Sequence, residues 1–127
     1  MYLIYNLLLI IVFILFVLPY YTYRLFTEKG FSRRFRQSLG RVHNKEIEKV
    51  MRKDCIWIHG ASVGEIVATS PLVKQIRQEM PDRPILVSAF TVGGYNMAKQ
   101  IIPEADAIIF FPLDLPFVAE SMVKRIH

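Results

Sequence analysis

An unbroken apolar block runs from Leu7 to Leu18, Tyr2 to Ile4 extend it toward the start, and no charged side chain precedes Arg24. About 20 apolar residues suffice to cross a bilayer as a helix. The pattern predicts a helix from Tyr2 to Phe26, with residues 1–23 as a transmembrane anchor. Tyr20, Tyr21 and Tyr23 stand where an interfacial aromatic belt belongs. A cleaved leader would need a basic stretch before the apolar run and small residues after it. Here nothing basic precedes Arg24, and Pro19-Tyr20-Tyr21 is bulky. From Thr27 to Gly40, Phe31, Phe35 and Leu39 recur at four-residue spacing with Arg33, Arg34 and Arg36 between them. That spacing predicts a short amphipathic helix able to lie among lipid head groups, ended by Gly40. A solvated linker helix fits the same pattern. Asn44 to Lys53 is charged and reads as a helical turn or loop closing a basic juxtamembrane segment, residues 24–53.

After Asp54 the pattern changes to short apolar runs separated by helical ones. Cys55 to His59, Ile85 to Phe90 and Ala107 to Phe111 read as strands. Gly64 to Met80, Tyr95 to Ile102 and Phe117 to Ile126 read as helices. In the first of these helices Ile66, Val67, Leu72, Val73, Ile76 and Met80 fall on roughly one side, and Pro71 demands a kink or a fresh first turn. Strands that are continuously apolar belong in a parallel sheet covered on both faces. The order βαβαβα therefore predicts an α/β fold over residues 54–127. Ligands of such sheets collect at the carboxyl ends of the strands. The turns His59 to Gly64, Thr91 to Gly94 and Pro112 to Pro116 fall on that edge. Three strands make a small sheet, so a longer doubly wound domain is expected, of which this is the beginning.

Charge sharpens this division. Ten basic residues between Arg24 and Lys53 face three acidic ones, a balance of +7, whereas from Asp54 onward six basic residues face eight acidic ones. A basic segment directly after an apolar helix places that segment, and the rest of the chain beyond it, in the cytoplasm by the positive-inside rule. It also attracts anionic membrane. Nucleic acid is not an expected partner, because the basic run abuts the anchor and offers only Phe31 and Phe35 for stacking. Cys55 is the only cysteine, which leaves no disulfide framework and no zinc cluster; it reads as a buried strand residue.

The densest chemistry lies in Trp57-Ile58-His59-Gly60-Ala61-Ser62-Val63-Gly64-Glu65. The strand-turn-helix reading brings a helix N-terminus, with its free N–H groups, to the ligand edge. Gly60 and Gly64 allow a sharp turn and a close ligand approach. Ser62 followed by Glu65 is a capping-box pattern. Glu65 thus has two readings, a structural cap or a reactive carboxylate. The turn matches neither a dinucleotide fingerprint nor a P-loop. Ser62 has no plausible His/Asp relay to make it a nucleophile. His43, His59 and His127 have no metal-ligand spacing, so neither metal nor cofactor is expected. His59 reads first as a hydrogen-bonded turn residue, and Asp114 as an N-cap or turn former.

Taken together, Trp57 to Glu65, Pro71-Leu72-Val73 and Pro112-Leu113-Asp114-Leu115-Pro116 resemble the N-terminal half of the 3-deoxy-D-manno-octulosonic acid (Kdo) transferases. The preceding apolar helix and the basic segment with Arg33, Arg34, Arg36 and Gly40 resemble that family too. The resemblance implies the N-terminal Rossmann-like half of a GT-B glycosyltransferase, preceded by a transmembrane helix in the bacterial inner membrane. It implies inverting transfer of Kdo from CMP-Kdo to a lipid A precursor (lipid IVA) in lipopolysaccharide synthesis, with no bound metal. Glu65 maps onto the proposed general base. Ser62, Gly64, Arg33, Arg34 and Arg36 are the expected substrate-binding residues. CMP-Kdo is expected on a C-terminal donor domain lying beyond this sequence, so the chain alone is expected to be inactive. A membrane-tethered binding module without catalysis, or a piece of a split enzyme, is the alternative. Another lipid-linked glycosyltransferase is a third reading.

Overall fold

The computed structural model describes residues 2–27, 30–113 and 115–126, apart from the side chains of Leu25, Phe26 and Pro116. Asp114 and His127, and the charged pair Glu28 and Lys29, lie outside the described residues. The chain divides into two compact units, residues 1–32 and 33–127.

The first unit is helical: α1 (Tyr2–Val12), a π-helical turn (Phe13–Val17), and α2 (Leu18–Thr27). Pro19 explains the π-turn. It has no N–H to donate, and its ring crowds the carbonyl of the preceding turn, so the helix widens by one residue there. The Leu18 N–H accordingly donates to the Phe13 carbonyl, five residues back. Tyr2–Arg24 is long and apolar enough to cross a membrane, with a mean hydropathy of 2.6. At its end the Arg24 guanidinium donates to the Tyr20 hydroxyl at 3.0 Å and lies over the same ring.

Helix α3 (Phe31–Ser38) leads into the second unit. There follow α4 (Asn44–Ile47), β1 (Ile56–Gly60), α5 (Val63–Glu79), β2 (Ile85–Ala89), α6 (Val92–Ile101), β3 (Ala107–Phe110) and α7 (Pro116–Ile126). The sheet is parallel with order β1-β2-β3, in the register Ile58↔Val87↔Ile108. All five residues of β2 are buried, as a central strand with both faces covered must be. Strand alternation sorts the core into two layers. Ile85, Val87 and Ala89 pack with Ile66 and Val73 of α5 and with Tyr95 and Ala98 of α6. Leu86, Ala107 and Ile109 face the other way, toward Val42, Ile47 and Val50 and toward Met122 and Ile126 of α7. The N-terminal edge is tied by Arg77, which donates to the Glu104 carbonyl and to Asp106, while Asp106 also accepts from the Ile85 N–H.

Three expectations are corrected. First, α5 continues through Pro71 with no fresh first turn there, and only Ile66, Val73 and the partly buried Ile76 from its expected apolar side join the core; Val67, Leu72 and Met80 are exposed. Second, α6 begins at Val92, three residues earlier than the apolar pattern indicates, because Thr91 caps it and accepts from the Gly94 N–H at 3.1 Å. Third, Phe35 and Leu39 of the expected apolar face are exposed while Gln37 and Ser38 are buried. Gln37 points inward because β3 is an edge strand whose outward N–H groups need an acceptor. Its Oε1 accepts from the Phe110 N–H at 2.8 Å, and its Nε2 donates to Glu46 at 2.9 Å.

Candidate functional site

The carboxyl ends of β1 and β2 each run into a capped helix. Ser62 is the N-cap of α5, in extended conformation, and its hydroxyl faces the Glu65 N–H at 3.4 Å. The Glu65 side chain returns across the turn. Its Oε2 accepts from the Ala61 N–H at 2.8 Å, and its Oε1 lies 3.4 Å from the Ser62 hydroxyl. Glu65 thus reaches back past the N-cap to the Ala61 N–H, not to the Ser62 N–H that the expected capping box would use, and the carboxylate is exposed at the sheet edge with Oε1 only loosely engaged.

The two turns touch. The Thr91 N–H donates to the Ala61 carbonyl at 3.2 Å. A Cβ at Gly93 would meet Val63 Cγ2 at 3.2 Å, and one at Gly94 would meet Thr91 Oγ1 at 3.1 Å. These glycines let the second turn close onto the first. Gly60 and Gly64 do not have the left-handed backbone that a sharp glycine turn would give, since positive φ among the glycines occurs at Gly30 and Gly40. Gly60 is instead required by space: a Cβ there would lie 2.8 Å from Ile66 Cδ1. Gly64 is the opposite case, where an added Cβ would meet nothing within 4 Å. Open space lies over the helix start beside Glu65.

The three expected arginines separate. Arg34 reaches the sheet edge, its guanidinium 4.7 Å from the centre of the Phe90 ring just after β2. Arg33 donates to the Tyr95 hydroxyl at 3.2 Å and lies 4.0 Å from Glu46. Arg33 and Arg36 both line a different cleft, between α3 and α4. Arg34 alone of the three thus contacts the residues at the end of β2.

Sequence reasoning set His59 aside and missed its setting. Trp57 and His59 alternate on one face of β1, and both reach the buried Ser88 hydroxyl of β2. Trp57 Nε1 donates to it at 2.8 Å, and His59 Nδ1 lies 3.0 Å from it. The His59 ring lies 4.1 Å from the Phe111 ring, centre to centre. With Pro112, Ala119 and Val123 these aromatics line a largely apolar cleft of about 390 Å³. The available signal was Ser88, one hydroxyl within an apolar strand. Cys55 is buried, and that burial pushes its thiol pKa up. Among the described residues no three His, Cys, Asp or Glu side chains converge as a metal site would require.

Comparison with known proteins gives one consistent result. The family described as 3-deoxy-D-manno-octulosonic-acid transferase (kdotransferase) matches residues 33–127. A 3-deoxy-D-manno-octulosonic acid transferase of Haemophilus influenzae is 42% identical over 72 residues, covering 57% of this chain and 17% of the relative. The transferase of Chlamydia muridarum is 38% identical over 72 residues, covering 56% and 17%. That of Rickettsia felis is 31% identical over 88 residues, covering 69% and 19%. The chain thus matches less than a fifth of the length of each of these relatives. No solved structure gives a significant match. With a match running from Arg33 to the last residue, across both capped turns and all three strands, the chain belongs to the Kdo transferase family.

Proposed function

We propose that this chain is the acceptor-side N-terminal part of a membrane-anchored, inverting Kdo transferase of the GT-B type. It acts in lipopolysaccharide synthesis, on a lipid A precursor (lipid IVA), with CMP-Kdo as donor. In this reading Tyr2–Arg24 spans the inner membrane once and Arg24 onward is cytoplasmic, following the excess of basic residues on that side. The donor is held by a second domain.

The observation that carries the reading is the Glu65 carboxylate, fixed through Oε2 by the Ala61 N–H while Oε1 stays accessible beside the open space over Gly64. In an inverting displacement the acceptor hydroxyl gives its proton to Glu65 Oε1. Its oxygen then forms the bond to the anomeric carbon, the bond from that carbon to the CMP phosphate breaks, and CMP leaves with the electron pair. Ser62 and Gly64 lie in the same turn as Glu65 and flank that position in this reading. Arg34 supplies positive charge for an anionic acceptor, and Arg33 and Arg36 extend it along α3. The same hydrogen bonds favour a second reading, in which Glu65 serves only as a cap and the base lies elsewhere.

Glu65→Gln separates the two in an enzyme completed with its donor domain. Gln keeps the acceptor for Ala61 N–H but cannot take a proton. Turnover should fall by roughly 10²-fold or more, with the melting temperature nearly unchanged. Normal turnover with a lowered melting temperature would make Glu65 a cap and nothing more.

A further inference from the structure

Ser88 is the one hydroxyl in a central strand otherwise built of Ile85, Leu86, Val87 and Ala89, and it is fully buried. We propose that His59 Nε2–H, at the carboxyl end of β1, holds an uncharged oxygen (a hydroxyl or carbonyl) of a bound substrate, and that Ser88 and Trp57 are the residues that position it. The role rests on the transfer reaction proposed above, since the ligand is one of its substrates.

The hydrogen bonds fix which nitrogen of His59 carries the proton. An indole N–H only donates, so the Ser88 oxygen, 2.8 Å from Trp57 Nε1, is the acceptor. The Ser88 proton must itself be used, because a hydroxyl buried without a partner costs free energy. The other partner of that hydroxyl is His59 Nδ1, at 3.0 Å. Nδ1 therefore presents its lone pair, and in the neutral ring the proton sits on Nε2.

The ring is held as well as polarised. It lies against Phe111, 4.1 Å from centre to centre, and the Ser88 bond fixes its rotation. The side chain is exposed, and Nε2 has no partner among the described residues. A buried relay across two strands thus serves one ring whose remaining donor is free. His59 is the last residue but one of β1, and the turn that follows carries Ala61, whose N–H holds Glu65. His59 and Glu65 therefore border the same carboxyl edge, where ligands of parallel sheets collect.

The surroundings decide the chemistry of the ligand. His59 lines the largely apolar cleft of about 390 Å³, with Trp57, Phe111 and Pro112 beside it. These neighbours offer no counter-charge, and a charged group moved among them would lose its hydration without return. A neutral N–H donor there suits an uncharged oxygen, and the low local dielectric strengthens the bond between them.

The test has two arms. In the full 127-residue chain, held in dodecyl maltoside micelles, long-range proton–nitrogen correlation spectra of the histidine rings distinguish a proton on Nε2 from one on Nδ1. Taken at alkaline pH, where imidazoles are neutral, they should place the His59 proton on Nε2, the signal being identified by its loss in His59→Gln. A proton on Nδ1 overturns the relay. The second arm uses an enzyme completed with its donor domain. His59→Phe keeps a ring against Phe111 and removes the donor. It should raise KM for one substrate, the lipid acceptor or CMP-Kdo, roughly three- to tenfold with kcat nearly unchanged. His59→Gln, whose side-chain N–H can stand in for Nε2–H, should recover most of that loss, and Ser88→Ala should show a smaller rise. The substrate whose KM rises is the one held. Unchanged KM for both substrates in His59→Phe, or a Gln variant no better than Phe, overturns the role even where the melting temperature falls. Calorimetric Kd values for the two substrates read the same contact without turnover. A parent that fails to transfer Kdo refutes the reaction proposed above; a parent that transfers it, while His59→Phe binds both substrates equally well, refutes the role of His59 alone.

Discussion

Gly60 and Gly64 bracket the same turn, and replacing each by Ala should move stability in opposite directions. A Cβ at position 60 would lie 2.8 Å from Ile66 Cδ1, 3.2 Å from Cγ1 and 3.3 Å from the Ile66 backbone nitrogen. Ile66 is fully buried in the layer between α5 and β2, so it has nowhere to withdraw. Overpacking of this kind costs typically about 1–3 kcal/mol. At position 64 a Cβ meets nothing within 4 Å, and the residue is the second of α5. Ala there gains helix propensity and restricts the unfolded chain, worth up to about 0.5–1 kcal/mol. For a domain the size of residues 33–127, one kcal/mol moves the melting temperature by roughly 4–8 °C. Gly60→Ala should therefore melt several degrees lower and Gly64→Ala level with or a few degrees above the parent. Trp57, the only tryptophan, reports the melt by its emission in micelles. Equal melting temperatures for Gly60→Ala and the parent, or a large loss in Gly64→Ala, would refute the packing argument. In a completed enzyme Gly64→Ala should lower turnover despite its stability, because the added methyl occupies the space beside Glu65.

Three further outcomes are expected. Gln37→Leu leaves the buried Phe110 N–H without an acceptor and should cost about 1–3 kcal/mol in a urea melt; a loss of a few tenths would mean that the edge of β3 is satisfied otherwise. Ser88→Ala removes the acceptor of Trp57 Nε1, so the melting temperature should fall by roughly the 4–8 °C that one kcal/mol represents, with a shift in Trp57 emission. Burial of Cys55 disfavours its thiolate in the folded chain. That contribution to stability is present in full below the unfolded thiol's ordinary value, about 8.5, and is lost as pH rises beyond it. Stability should therefore decline above that pH in the parent more than in Cys55→Ala, and iodoacetamide at pH 8 should label Cys55 far more slowly than a free thiol.

What the sequence revealed and what it hid depend on the range of the interactions concerned. Continuous apolar runs such as Ile85 to Ala89 state directly that both faces of a strand are covered, so the parallel sheet and its order of elements were legible. Ser62 as the N-cap of α5 was legible because capping is local, three residues apart; the reach of Glu65 to the Ala61 N–H, one residue beyond the expected capping box, was not. Phe31, Phe35 and Leu39 suggested an apolar face for α3, yet Phe35 and Leu39 are exposed. Periodicity reports apolar burial and is blind to a polar side chain buried for its hydrogen bonds, which is the case of Gln37. Thr91-Val92-Gly93-Gly94 read as a turn because glycine disfavours helix. Its glycines serve instead to let α6 start against Ser62 and Val63, a contact made across the sheet edge. The Trp57–Ser88–His59 arrangement joins two strands and leaves no local spacing to find.

At Glu65, capping and proton acceptance compete only if they need the same oxygen. Here the short bond from Ala61 N–H falls on Oε2, and the contact of Oε1 with Ser62 is 3.4 Å long. The donor on Oε2 is a backbone group, which cannot rotate away and holds the carboxylate at one orientation. A general base must be held within hydrogen-bond reach of the proton it removes, and a backbone bond to the second oxygen achieves that without occupying the first. In the proposed reading the Ala61 bond aims the base, and the strand-turn-helix geometry brings Glu65 to the edge where ligands of parallel sheets gather.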